Sequence, residues 1–251
     1  MEIKTNGRSK DYQKDGVIIE RNLISQEDVK KVIEELNTFY LDNKNSLEEG
    51  KEVNFADSQK TIINSLHRLE NYEGYFFNDL SKRKKILDLA EELLGDKPEL
   101  ISIQAFVKPG SVGLPAPFHQ DNAYWCIEPA NGLTMWIALD ICDKSNGMVK
   151  YIIGTHKIGV VEHIPSLAPG SSQIIDETNL PKAKIFTPSL SPGDCAIHHT
   201  MNVHGSNPNN SGKQRRGLLL CFKGINTKRN MDLFGRYQKN LEKLIEIRNS
   251  Q

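Results

Sequence analysis

From Pro98 onward the chain alternates brief apolar runs with Gly, Pro, Asn and Asp: LISIQAFV, LTMWIALDI, MVKYIIG, AKIFT, DCAIHH and RGLLLCF. Short runs rich in β-branched and aromatic residues, punctuated by turn formers, predict the strands of an all-β sandwich or jelly roll. The gaps leave no room for crossover helices, which argues against a parallel sheet. Before Pro98 the rhythm differs. GVIIE at 16–20 reads as one short strand. Val29, Val32, Ile33, Leu36 and Phe39 then follow the i, i+3, i+4, i+7 spacing of an amphipathic helix. Ser25 and Asp28 open it as a capping box, with Asp where Glu is usual. Residues 81–94 predict a second helix, with Ile86, Leu89, Leu93 and Leu94 apolar and Gly95 placed to stop it. The polar stretch 42–60 reads as a mobile loop, and 232–248 as a terminal helix.

Composition narrows the function classes. At 251 residues the chain is long enough to bury a full core without disulfides or a structural metal. Lys+Arg and Asp+Glu both number 32, which excludes the strongly basic footprint of a nucleic-acid binder. No run reaches the roughly 18 apolar residues of a membrane helix, and MEIKTNGRSKDYQKDG has no secretory apolar stretch. Cys126, Cys142, Cys195 and Cys221 form no CxxC pair and read as buried thiols in a reducing compartment. A cytoplasmic protein without membrane or nucleic-acid partners is the expectation.

The candidate chemistry starts at PFHQDNAYW. His119 and Asp121 are two positions apart, and on an extended segment that spacing sends both side chains to one face. Alone, such a pair is commonly a strand-end hydrogen bond. IHHTMNVHGSN offers a second imidazole from His198, His199 or His204. Two histidines and one carboxylate form the facial triad of non-heme Fe(II) oxygenases. Three protein ligands leave three of six positions, two for an oxo-acid cosubstrate and one for dioxygen. The distal carboxylate of that cosubstrate needs a cation, and arginine's planar fork suits it. Arg215 lies eleven residues beyond His204, across the turn-like SNPNNSGKQ, and a hairpin there would return it toward His204. Ser206 shares a strand face with His204. Arg216, the neighbour of Arg215, must face the other way.

The ordered set H119-Q-D121, G154-T-H-K, S191-P-G-D194 and H204-G-S206 with R215 resembles the phytanoyl-CoA dioxygenase family of Fe(II)/2-oxoglutarate oxygenases, over roughly residues 15–225. The resemblance implies a double-stranded β-helix (jelly-roll, cupin-like) core, so the expected fold class is mainly β with flanking helices. It implies one oxygenase domain over 1–251, mainly helical over 1–97, with the core over 98–225 and a C-terminal helix over 226–251. It implies His119, Asp121 and His204 as ligands of Fe(II), and Arg215 and Ser206 as anchors of the 2-oxoglutarate C5 carboxylate. Trp136 matches a tryptophan that the family places against the cosubstrate; Gln104 and Thr134 are further candidate contacts. The family's lysine contact has no counterpart in this reading. O2 is the second cosubstrate, and succinate and CO2 are released. Asp121 favours hydroxylation, because halogenating relatives carry a small residue there.

Blander readings stand beside these. Trp136 can be core or cosubstrate wall. Tyr124 and Trp125 can be sheet packing or a pocket wall for a cationic or planar group. His198 and His199 read as packed or solvated strand residues, and His156 as a turn histidine bonded to backbone. The substrate reads as a small, polar metabolite; the oligomeric state is not readable. Two rival functions keep the same ligands: a zinc or manganese hydrolase, and a catalytically silent binding module.

Overall fold

A computed structural model describes residues 7–250. Its centre is two facing sheets. The larger has seven strands in the order Val17–Glu20, Cys195–His199, Gly132–Ala138, Arg215–Gly224, Pro98–Lys108, Ile63–Leu66 and Val53–Phe55. The smaller has four: Ile185–Phe186, Val149–Ile152, His204–Ser206 and Ala116–His119. Every pairing within the two is antiparallel. The run of short strands predicts a sandwich or jelly roll, and the observed core is the double-stranded β-helix that the family resemblance implies.

Alternation along the strands builds two interiors from one sheet. On the outer face Ile103, Ala105, Met135, Ile137, Ile197, Leu218, Leu220 and Phe222 are buried against the helices. The helix Gln26–Asn43 supplies Val29, Val32, Leu36 and Phe39, and Lys84–Leu94 supplies Ile86, Leu89, Leu93 and Leu94. Each fully buried Leu, Ile or Phe there contributes roughly 1.5–3 kcal/mol. The inner face meets the small sheet through Trp136, Ala138 and Ala196 against Tyr151 and Met148.

The helix starts follow the sequence signals. Ser25 Oγ accepts from Asp28 N at 3.0 Å and Asp28 Oδ2 from Ser25 N at 3.2 Å, which closes the capping box. Arg83 forks onto the same carboxylate at 2.7 and 2.9 Å and ties the start of the second helix to the first. Gly95 ends that second helix with φ of 61°. The last helix, Met231–Asn249, is held to the body by Asn240, whose amide donates to His163 O and Gln173 Oε1, both at 2.9 Å.

Two expectations need correction. The stretch 42–60 is not simply a loop: Val53–Phe55 pairs with Ile63–Leu66 and extends the large sheet at its edge. The charged turn between those strands, ordered by Asp57 accepting from Thr61 N and Ile62 N, masks their apolar positions. The segment between His204 and Arg215 is not a hairpin. His204–Ser206 lies in the small sheet and Arg215–Gly224 in the large one, so the connection crosses between sheets. Arg215 approaches the site from the opposite wall.

Candidate metal centre

His119 ends the strand Ala116–His119 and lies directly opposite His204 on the next strand. Asp121 is not extended. It takes φ of −59° and ψ of −36° and opens the one-turn helix Asn122–Trp125. The corner between them is clamped by buried Gln120, whose amide donates to Met201 O at 2.7 Å and Gly159 O at 3.0 Å and accepts from Val161 N at 2.8 Å. His119 and Asp121 therefore converge through a strand-to-helix turn.

Asp121 Oδ1 stands 3.8 Å from His119 Nε2 and 3.6 Å from His204 Nε2. The three candidate ligand atoms lie within 4.8 Å of one another. Each imidazole commits Nδ1 to a backbone carbonyl, His119 to Pro117 and His204 to Asn202, both at 2.9 Å. A carbonyl only accepts, so Nδ1 carries the proton and Nε2 offers its lone pair inward. Burial pushes both histidines below their ordinary range, which keeps them neutral donors. Burial alone would raise Asp121, but His204 and a hydrogen bond from His198 hold it below the usual carboxylate range. Two neutral nitrogens and one anionic oxygen fit a divalent first-row metal that keeps open positions.

The rival histidines stand elsewhere. His199 Nδ1 accepts from Met201 N at 3.0 Å. His198 sits behind the carboxylate, with Nε2 3.2 Å from Asp121 Oδ2. His156 bonds backbone, Gln13 O at 3.0 Å.

Arg215 and Lys108 are partners across neighbouring strands of the large sheet. They are buried to 2% and 5% exposure, and no carboxylate ion-pairs with either among the described residues. Arg215 donates to Gly147 O at 2.7 Å, while its Nε has no partner among the described residues. Its guanidinium lies 5.0 Å from the centre of the Trp136 ring. Gly217 makes room for that indole, since a Cβ there would fall 2.2 Å from it. Lys108 donates to Ser206 Oγ at 2.7 Å. Burial first, and Arg215 second, push Lys108 down to about 6. A buried guanidinium beside a buried amine held largely neutral is costly unless an anion arrives, and an oxo-diacid would supply that charge and restore the proton to Lys108. Lys108 went unassigned in the sequence, although it shares strand parity with Gln104. Arg216, facing outward, forks onto Asp140 at 2.7 and 2.8 Å.

Triad, guanidinium and amine line one cavity of about 780 Å³, within the roughly 300–1,000 Å³ usual for small-molecule sites. Gln104, Trp136, Ser206, Tyr124 and Trp125 line it too. Thr134 does not; its hydroxyl turns to Asp121 Oδ2 at 2.6 Å, so it is no wall for a cosubstrate. Tyr124 donates to Gln173 O at 2.5 Å, which fixes its ring against Tyr237. The outer part of the cavity comes from segments with no local signal of this role: Arg68, Ser171 and, on the last helix, Tyr237, Leu241 and Leu244.

The sequence pattern of the family described as phytanoyl-CoA dioxygenase matches residues 12–217. The chain belongs to the phytanoyl-CoA dioxygenase family. A probable alpha-ketoglutarate-dependent hypophosphite dioxygenase from Stutzerimonas stutzeri is 28% identical over 223 residues, covering 86% of this chain and 77% of that protein. The peroxisomal phytanoyl-CoA dioxygenase of Bos taurus is 24% identical over 249 residues, covering 92% and 72%. Among solved structures, EctD from S. alaskensis with 2-oxoglutarate and 5-hydroxyectoine superimposes with a TM-score of 0.71 at 21% identity, covering 89% of this chain and 79% of that one. With the triad in place, this family member is an Fe(II)- and 2-oxoglutarate-dependent dioxygenase of a small molecule. Among the described residues no helix is long and apolar enough to cross a membrane.

Proposed function

We propose that the enzyme hydroxylates a small polar metabolite, with His119, Asp121 and His204 holding Fe(II) and with Arg215, Lys108 and Ser206 seating the C5 carboxylate of 2-oxoglutarate. One observation carries the reading: a buried guanidinium and a buried amine, neither with a carboxylate partner among the described residues, share a cavity with the three ligand atoms. A hydrolase built on the same ligands has no use for them.

The bound metal, with 2-oxoglutarate and O2, supplies the oxidising chemistry. The protein's residues supply geometry. The two imidazoles and Asp121 would hold the ion as three protein ligands, which would leave it positions for reactants. Arg215 and Lys108 orient the oxo-acid by its remote end, with Trp136 beneath the guanidinium and Gln104 on the same wall. Ser206 carries a hydroxyl that can turn from Lys108 to the incoming carboxylate. Tyr124 and Trp125 form the wall on the substrate side, where they exclude water from the reacting carbon.

Anaerobic Fe(II) plus 2-oxoglutarate should give a weak visible charge-transfer band, and succinate should form from 2-oxoglutarate only when iron is present. Neither signal in the wild-type protein would sink the proposal and leave the silent binding module. Substrate is then sought by stimulated succinate release from small amino acids, betaines and phosphonates. The similarity to a hypophosphite dioxygenase adds reduced phosphorus oxyanions to that panel.

A further inference from the structure

Asp121 has two oxygens, and the structure gives them different neighbours. Oδ1 faces His119 and His204. Oδ2 is turned away, with Thr134 Oγ1 at 2.6 Å and His198 Nε2 at 3.2 Å. Thr134 and His198 are register partners on adjacent strands of the large sheet, so their side chains leave its inner face side by side. Both are buried to 1% exposure. An ionised carboxylate only accepts, so the Thr134 hydroxyl and the His198 Nε2–H must both donate to it. With Nε2 committed to Asp121, His198 Nδ1 has no partner among the described residues. The ring is packed between Tyr151 and His204, with centroids at 5.3 and 4.2 Å, which fixes its tilt.

We infer that His198 is a positioning residue. Together with Thr134 it holds Oδ2 away from the metal, so that Asp121 binds through Oδ1 alone. The inference rests on the iron reading of the site. A carboxylate free to chelate through both oxygens would occupy one of the positions that the oxo-acid and dioxygen need. Hydrogen bonds to a ligating carboxylate decide which oxygen is offered, and their loss typically costs metal affinity.

Co(II), followed anaerobically by its visible absorption, is the probe. His198→Phe and Thr134→Val remove the two donors while keeping bulk; His198→Gln and Thr134→Ser keep a donor. Co(II) affinity should fall about 10- to 100-fold in the first pair, with a changed ligand-field spectrum, and the second pair should recover most of both. Thermal unfolding of the metal-free proteins separates misfolding from lost positioning. Thr134→Val, nearly isosteric, carries the test if His198→Phe does not fold. Wild-type affinity and spectrum in both His198→Phe and Thr134→Val would overturn the inference. So would a His198→Gln as impaired as His198→Phe beside silent Thr134 variants, the pattern of a direct ligand. A wild-type protein that binds no Co(II) would overturn the iron reading itself.

Discussion

Along the strand Arg215–Gly224, Leu218, Leu220 and Phe222 turn to the helices, while Arg215, Leu219 and Cys221 turn to the cavity side. The two faces of the large sheet obey one alternation and opposite rules of satisfaction. On the outer side the sheet's own side chains find partners within the fold: apolar residues meet helices, and Arg216 meets Asp140 through a two-pronged pair. On the inner side Arg215 and Lys108 have no carboxylate partner among the described residues, and the ligand atoms of His119, Asp121 and His204 lie within 4.8 Å of one another. A buried group whose partner is missing marks where a ligand belongs; a buried group already paired marks structure.

The contrast predicts mutations that separate activity from stability. The largest effect is expected for His204→Ala: iron-dependent succinate formation should fall by more than the roughly 10–100-fold that loss of a supporting partner costs, with the unfolding temperature little changed in the metal-free protein. Phe222→Ala, on the outer face, should do the reverse, costing about 3–5 kcal/mol in denaturant unfolding while the KM for 2-oxoglutarate stays put. Arg215→Ala should weaken 2-oxoglutarate binding by about 1.5–3 kcal/mol, the usual worth of a charged hydrogen bond, read from titration of the charge-transfer band. An unchanged titration would break the comparison at its centre.

Smaller effects sharpen it. Lys108 has its free-state pKa pushed down to about 6 by burial and by Arg215. An arriving carboxylate raises that value, so binding takes up a proton when the pH lies above 6. Affinity for 2-oxoglutarate should therefore fall as pH climbs from 6 toward 8, by up to about tenfold per unit. Lys108→Met should flatten that slope. Last, Arg216→Ala should cost about 1 kcal/mol or less of stability and leave cosubstrate binding untouched, although it sits one residue from Arg215.

Local pattern carried much of this into the sequence. The strand runs, the capping box at Ser25 and the stop at Gly95 are short-range signals, and each appears where the periodicity places it. The choice of Arg215 over Arg216 follows from strand parity and the eleven-residue step, and the structure buries the first inside and pairs the second outside. Parity could also have found Lys108 and His198, because 104 and 108, like 196 and 198, share a face. Both are residue types whose common fate on a strand is solvent or packing, so nothing local singled them out. Thr134 shares a strand face with Trp136, which makes it a candidate contact, yet its hydroxyl bonds Asp121, a fold-level fact. The outer cavity was illegible for the same reason. Arg68, Ser171 and Tyr237 meet only when distant segments close over the sheets.

The rungs to which the proposed roles are assigned all join remote parts of the chain: His204 opposite His119, Arg215 opposite Lys108, His198 opposite Thr134. A nascent or half-folded polypeptide thus holds, at most, a lone imidazole and carboxylate from one corner, too weak a grip to retain ferrous ion. On this topology, stable loading should wait for completed tertiary structure, which would spare the enzyme a reactive iron exposed to oxygen before a substrate pocket exists to direct it.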